Sequence, residues 1–242
     1  MNKKEKAALK ASFHEMSRVE RFDYILTYYK VPIIAGLLIL ALLFSQLHKQ
    51  LTKKEALLYA GFINVSIGED LENALDAEYF RDAGINPKKN EIIRYEALYL
   101  SNDADTLNHQ YAYASRMKIT ASIADHTLDL VFMNQEGYDI LSNSGYLLDL
   151  GKYLQENDPA LYRTASPYFA QNEVITEDNS LEYNLNEAEE LIIETESQTN
   201  ALSVTKLPVF AAAGFDGDVF IGVIANTPRG ENVNAYLRWL LS

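Results

Sequence analysis

The sequence predicts an α/β domain carried behind one membrane-spanning helix. Three observations predict it: strand-like and helix-like patterns alternate over most of the chain, the run Val31–Leu47 carries no charge, and cysteine is absent from all 242 residues. Without cysteine, disulfide staples, thiolate metal sites, a cysteine nucleophile and an N-terminal lipidated cysteine are excluded together. The formal charge of −13 argues against general nucleic-acid binding, which needs a basic footprint on the phosphates.

The charge is uneven. Residues 1–30 hold seven basic and four acidic side chains, whereas the chain from His48 onward holds fourteen and thirty. Between them, VPIIAGLLILALLFSQL is just long enough to cross a bilayer as a helix, at roughly 1.5 Å per residue. Tyr28, Tyr29 and Lys30 on one side, and His48 and Lys49 on the other, suit the two interfaces. Pro32 is expected in the first turn, where its missing N–H costs little. The long n-region, and Phe44-Ser45-Gln46-Leu47 in place of a small-x-small cleavage site, predict an uncleaved signal anchor. The expected layout is a cytoplasmic basic tail (1–30), a transmembrane anchor (31–47) and an extracellular domain (48–242) of a single-pass cell-membrane protein.

Within that domain, Leu57–Val65 reads as a buried strand. Gly68 and Glu69-Asp70 open a helix whose Leu71, Ala74, Leu75 and Tyr79 share a face, and Gly84 closes it. Ile92–Leu100 is a second strand, with Arg94 and Glu96 on one face. Thr106 caps a long helix in which Leu107, Tyr111, Ala114, Met117, Ala121 and Ala124 recur at helical spacing and are expected to face the core. Leu128–Met133 is a third strand, and Glu136–Leu141 and Tyr146–Leu154 read as helix around Gly145. Strands each followed by a helix predict βαβ units and a parallel sheet.

After Asp158-Pro159 the pattern weakens. Glu173–Glu196 contains nine carboxylates and no Lys or Arg, which reads as a solvated loop with a short amphipathic helix at Ala188, Leu191 and Ile192. A hairpin is expected from Leu207–Ala213 and Val219–Ala225 across Asp216-Gly217. Thr227-Pro228 then starts a final helix with Val233, Tyr236, Leu237, Leu240 and Leu241 on one face.

The chemistry-bearing motifs fail in turn. Gly145–Lys152 has five residues between its glycines where a phosphate loop needs four, and Tyr153 stands where the magnesium-binding hydroxyl belongs. No nucleophile elbow and no dinucleotide glycine fingerprint occurs. The four histidines, His14, His48, His109 and His126, never pair at helical ligand spacing. Asn102–Asp105 and Asp216–Asp218 lack the glycine and glutamate of a calcium loop. No catalytic residue, metal site or cofactor is therefore expected.

One resemblance carries weight. Ile119–Leu150 places Asp129 at the entry of the strand Leu130–Met133, followed by Gly145, Leu147 and Leu150 in a G-x-L-x-x-L closing element. This resembles the first lobe of extracellular solute-binding proteins, the receptors of ABC importers, and Val219–Leu241 is similar to their strand-then-helix return. The layout behind a YYK-led anchor also resembles uncharacterised single-pass membrane proteins of Gram-positive bacteria. The resemblance implies a periplasmic-binding-protein-like lobe with a mixed, mainly parallel sheet flanked by helices. The departures are the loop Asp125-His126-Thr127, which lacks the family's glycine, and the missing lipidated cysteine. Only about fifty residues, an acidic insert at about 156–206, are left for a second lobe, against roughly 100 or more for an ordinary domain.

The expected function is a non-catalytic, membrane-anchored accessory subunit of a membrane complex, an ABC transporter by the resemblance. Its partners are then a polytopic transporter permease and, through Val31–Leu47, the bilayer. The alternative is a small-solute receptor. Open α/β sheets bind ligands beyond the carboxyl ends of their strands. The residues so placed are Asn64 and Ser66, then Ser101, Asn102 and Asp103, then Asn134, Gln135 and Glu136.

Overall fold

The computed structural model describes residues 17–102, 109–180 and 192–242. The chain divides into two units, Met1–Lys53 and Lys54–Ser242. In the first, helix α1 (Arg18–Thr52) contains a 19-residue apolar window, Tyr29–Leu47, long and apolar enough to cross a membrane. Pro32 lies inside this helix rather than in its first turn. Residues 18–30 contain no Gly or Pro, so nothing stops the helix from starting well before the apolar run.

The second unit is an α/β domain built on one mixed six-stranded sheet. Its strands are β1 (Glu55–Ile63), β2 (Asn90–Leu98), β3 (Leu130–Met133), β4 (Phe169–Asp178), β5 (Ile193–Ser203) and β6 (Phe220–Val223), in the order β2-β1-β3-β6-β5-β4. β1 pairs in parallel with β2 and β3, β6 is antiparallel to β3 and β5, and β4 is antiparallel to β5. Four strands thus run one way and two the other.

Between β1 and β2 the chain forms α2 (Glu69–Asn73), a π-helical turn (Ala74–Glu78) and α3 (Tyr79–Asp82), closed by Gly84 in the left-handed region. Then come α4 (His109–Ala124), α5 (Gln135–Asn143), α6 (Leu150–Asn157), α7 (Pro159–Ala165), α8 (Pro208–Ala213) and α9 (Gly230–Leu240). Asp149 and Asp158 cap α6 and α7 by accepting from Lys152 and Leu161 N–H, and Pro159 fills the first turn of α7.

Two apolar layers cover the sheet. One joins Leu58, Phe62, Phe132 and Ile221 to α2, α3 and α6–α9. The other joins Ile63, Val131 and Met133 to Ile119 and Ile123 of α4 and to Tyr138 and Leu141 of α5. At the centre Phe62 and Phe132 stack with ring centroids 4.8 Å apart.

Several expectations are corrected. Leu207–Ala213 is a helix, not a hairpin strand: Pro208 starts it, three alanines favour it, and Gly214 at φ 69° ends it. Tyr146–Leu154 is not continuous helix, since Leu147 bridges to Ile224 before Asp149 caps α6. The 156–206 region makes no reduced second lobe: it supplies α7, β4 and β5, and buried Ala201 and Leu202 seat β5 in the same sheet. Glu173, Glu177 and Asp178 are strand residues, as are Glu194 and Glu196. The expected helix at Ala188 and Leu191 and the Thr106 cap lie outside the described residues.

Helix α4 presents a different face from the expected one. Its buried residues are Ser115, Ile119, Ser122 and Ile123. Tyr111 (72% exposed), Tyr113 (63%) and Met117 (55%) face outward, and Ala114, Ala121 and Ala124 are exposed with them. Ser115 is held inward because its Oγ accepts the Tyr99 N–H at 3.0 Å, satisfying a backbone donor just past the end of β2.

Candidate functional site

The neighbours of β1 lie on its two sides, with β2 on one and β3 on the other, so the crevice beyond the carboxyl ends of β1 and β3 is the topological switch point of the sheet. Five of the sequence-predicted site residues meet there, and they bond to one another. Asn64 leaves β1 in the left-handed region, at φ 55°. Its amide accepts the Leu100 N–H (2.9 Å) and donates to the Leu100 carbonyl (2.7 Å) and to Asn134 Oδ1 (3.2 Å). The same Asn134 oxygen accepts the Gly137 N–H at 2.9 Å, which caps α5. Glu136 Oε1 accepts from Ser101 Oγ (2.8 Å) and from the Asn102 N–H (3.1 Å).

The remaining three do not join this knot. Gln135 donates along the helix to Asp139 (2.7 Å), and Ser66 is exposed on the loop after β1. Asp103 lies outside the described residues. The crevice is also tight. A Cβ on Gly137 would stand 3.0 Å from Ile63 Cγ2 and 3.2 Å from Met133 Cβ, so α5 is seated against the strand ends. Asparagine and serine side chains that a ligand would need as partners are engaged in stitching β1, β2 and β3 together.

A second polar network escaped the sequence analysis. The Tyr138 hydroxyl donates to Asn200 Oδ1 (2.7 Å), Asn200 Nδ2 donates to Ser142 Oγ (2.8 Å), and Ser142 Oγ donates to the Glu173 carbonyl (2.8 Å). All three side chains are buried, and burial, reinforced by the Asp139 charge, pushes the Tyr138 phenol well up from its ordinary value. The relay ties α5 to β4 and β5.

Asp129, the residue on which the family resemblance turns, sits at the opposite end of β3 and is completely buried. Its carboxylate accepts the Tyr59 N–H (2.8 Å), the Thr227 hydroxyl and Arg229 Nε (2.9 Å). The Arg229 guanidinium lies 4.5 Å from the Tyr59 ring centroid and also donates to the His126 carbonyl. This ion pair fastens the start of α9 to β1 and β3.

A further feature lies at the carboxyl ends. The segments after β1 and β5 enclose an open groove of about 750 Å³ between α2 and α8. Glu69, Asp70 and Glu78 line one wall, and Val209, Ala212 and Ala213 line the other. Nothing in the periodicity pointed to it, because half of it depends on α8, which reads as strand in the sequence. Among the described residues no group of three or more His, Asp or Glu side chains is placed to hold a metal ion.

Comparison with protein-family models, with curated proteins and with solved structures finds no match to this chain.

Proposed function

We propose that this chain is a membrane-anchored, non-catalytic accessory subunit of a membrane complex, an ABC transporter by the resemblance of its 119–150 segment. The tail is cytoplasmic, α1 crosses the cell membrane, and the α/β domain stands outside against a polytopic permease. One observation carries the reading: α4 turns Tyr111, Tyr113 and Met117 to solvent, while the polar residues at the strand ends bond to one another. Exposed aromatic and methionine side chains are the composition of a protein-docking surface, and polar groups already paired with one another favour docking over ligand capture at the strand ends.

The test is purification of the full-length protein from its own membranes in mild detergent. A polytopic membrane protein is expected to co-purify, and M117E together with Y113E is expected to weaken that association. Recovery of the unsubstituted chain alone, or co-purification unchanged by these substitutions, would overturn the proposal. The α2–α8 groove favours a second reading, since its volume is within the usual roughly 300–1,000 Å³ of small-molecule sites. A solute receptor would show a thermal shift with a small solute, abolished by A212F in the groove. That result would replace the subunit reading.

A further inference from the structure

The arginines of the α/β unit are largely consumed by internal pairs: Arg94 with Glu72 and Asp76, Arg229 with Asp129, Arg238 with Asp158, and Arg81 with Asp82. A group of lysines is not. Only Lys53 and Lys54 separate the last residue of α1, Thr52, from the first of β1, Glu55. Glu55 pairs with Asn90, and its N–H donates to the Lys89 carbonyl at 2.7 Å. Lys88 and Lys89 are thereby brought beside Lys54, at the edge where the chain enters the sheet.

The turn that presents them is well braced. Asn86 Oδ1 accepts the Lys88 N–H (2.9 Å), and the Asn86 carbonyl accepts the N–H groups of Lys89 and Asn90 (3.1 Å each). Lys53, Lys54, Lys88 and Lys89 are all exposed, and none forms an ion pair among the described residues. Glu55 and Glu91 are the carboxylates within the first two residues of the two strands, so three lysines (Lys54, Lys88 and Lys89) outnumber two carboxylates at this edge of a unit that is otherwise strongly acidic.

Covalent continuity fixes what lies close by. The apolar window ends at Leu47 and the helix runs on to Thr52, a rise of about 8 Å at 1.5 Å per residue, comparable to the depth of a headgroup layer. We infer that Lys54, Lys88 and Lys89 form a basic edge of the α/β unit that binds anionic phospholipid headgroups. The inference rests on α1 being a membrane span. Lysine suits the role: it is a compact, mobile point charge that can follow a fluid layer of phosphates without a fixed fork geometry.

The experiment uses the full-length chain, whose lack of cysteine makes single-site labelling direct. P87C carries an environment-sensitive dye in the lysine turn, and D216C carries it in the loop after α8 as a control. Each is reconstituted in nanodiscs containing a headgroup-linked quencher, in phosphatidylcholine alone or mixed equally with phosphatidylglycerol. Quenching at position 87 is expected to be roughly twofold or more stronger in the anionic discs at low salt, and to fade as salt rises. K88Q with K89Q should abolish the difference, since each lysine near an anionic surface changes partition roughly fivefold. The control position should respond to neither lipid nor salt, and Trp239 emission verifies that the variants are folded. Equal quenching in the two lipids, or quenching unchanged by the lysine substitutions, would overturn the inference while leaving the anchor intact. Release of the chain from membranes by alkaline carbonate would refute the anchor, and the inference with it.

Discussion

Replacing Asn64 by alanine should destabilise the domain by about 3 kcal/mol, because this side chain ties the end of β1 to Leu100 and to Asn134 across the switch point. Three hydrogen bonds disappear, two of them to the backbone of Leu100, which is only 1% exposed. Bonds of this kind contribute about 1 kcal/mol each, and a buried N–H or C=O left unpaired costs about 1–3 kcal/mol. Alanine must also take the left-handed backbone at φ 55°, an added strain of about 1 kcal/mol that asparagine tolerates better. Water entering the vacated space offsets part of this, which sets the figure nearer 3 than 5 kcal/mol. For a domain of this size each kcal/mol lowers the Tm by about 2–4 °C, so the expected drop is about 6–12 °C.

The single tryptophan, Trp239 on α9, donates to Asp82 and packs at a tilt against Tyr79, ring centroids 5.2 Å apart, so its fluorescence reports on unfolding without labels. N64G isolates the backbone part, since glycine is at ease at positive φ, and should fall about 1 kcal/mol short of the alanine effect. Stability within about 1 kcal/mol of the parent in both variants would refute the staple argument.

Other outcomes follow from the same geometry. D129A strips the Tyr59 N–H, the Thr227 hydroxyl and the partly exposed Arg229 of their shared acceptor and, at about 1 kcal/mol for each lost hydrogen bond, should cost about 3 kcal/mol in urea titration, with R229M in the same chain recovering part of it. Burial, and the charge of Glu72 to a lesser degree, raise Asp76 to about 6 against the pull of Arg94. A raised carboxyl favours the protonated fold, so this contribution is full below the ordinary carboxylate range and is lost as pH climbs through about 6; D76N should flatten that part of the stability–pH curve. M117E alone should leave stability within about 0.5 kcal/mol, whereas a loss of core size would return the α4 stripe to the interior. Protease added to cells stripped of any wall should digest the large domain and spare a tag at Met1; protection of the domain would refute the orientation.

The parts of the fold that were legible are those where burial coincides with large apolar residues. β1, β3 and the buried face of α9 carry such patterns and form within about two residues of their expected places, although α9 begins at Gly230 behind Arg229 and not at Thr227-Pro228; β2 forms too, with only Leu98 of its nine residues buried. The stripe on α4 misled because the inward face is partly serine, held there by a hydrogen bond to a strand end, which no hydrophobic period records. The seven-residue run Leu207–Ala213 suits strand or helix by apolarity alone, and its end signals, Pro208 and Gly214, were the better guide. β4 and β5 were hidden because their projecting parts are solvated and acidic, with Glu177 paired directly against Glu194. Of the eight residues expected beyond the strand ends, five meet there, and an asparagine that caps a helix has the same sequence context as one that binds a ligand.

The position of β6 governs the order in which the sheet is assembled. Among the described residues, its four residues are the sole link in the sheet between β3 and β5, and they are synthesised after every strand they connect. Until Phe220–Val223 arrives, the parallel trio β1–β3 and the β4–β5 ribbon are separate pieces, each with a bare edge exactly where the other must dock through an intermediary. A nascent chain halted before that point therefore exposes two unpaired strand margins at once, one on β3 and one on β5. The short strand acts as a keystone, and the acidic side chains of the waiting ribbon keep it soluble in the interval.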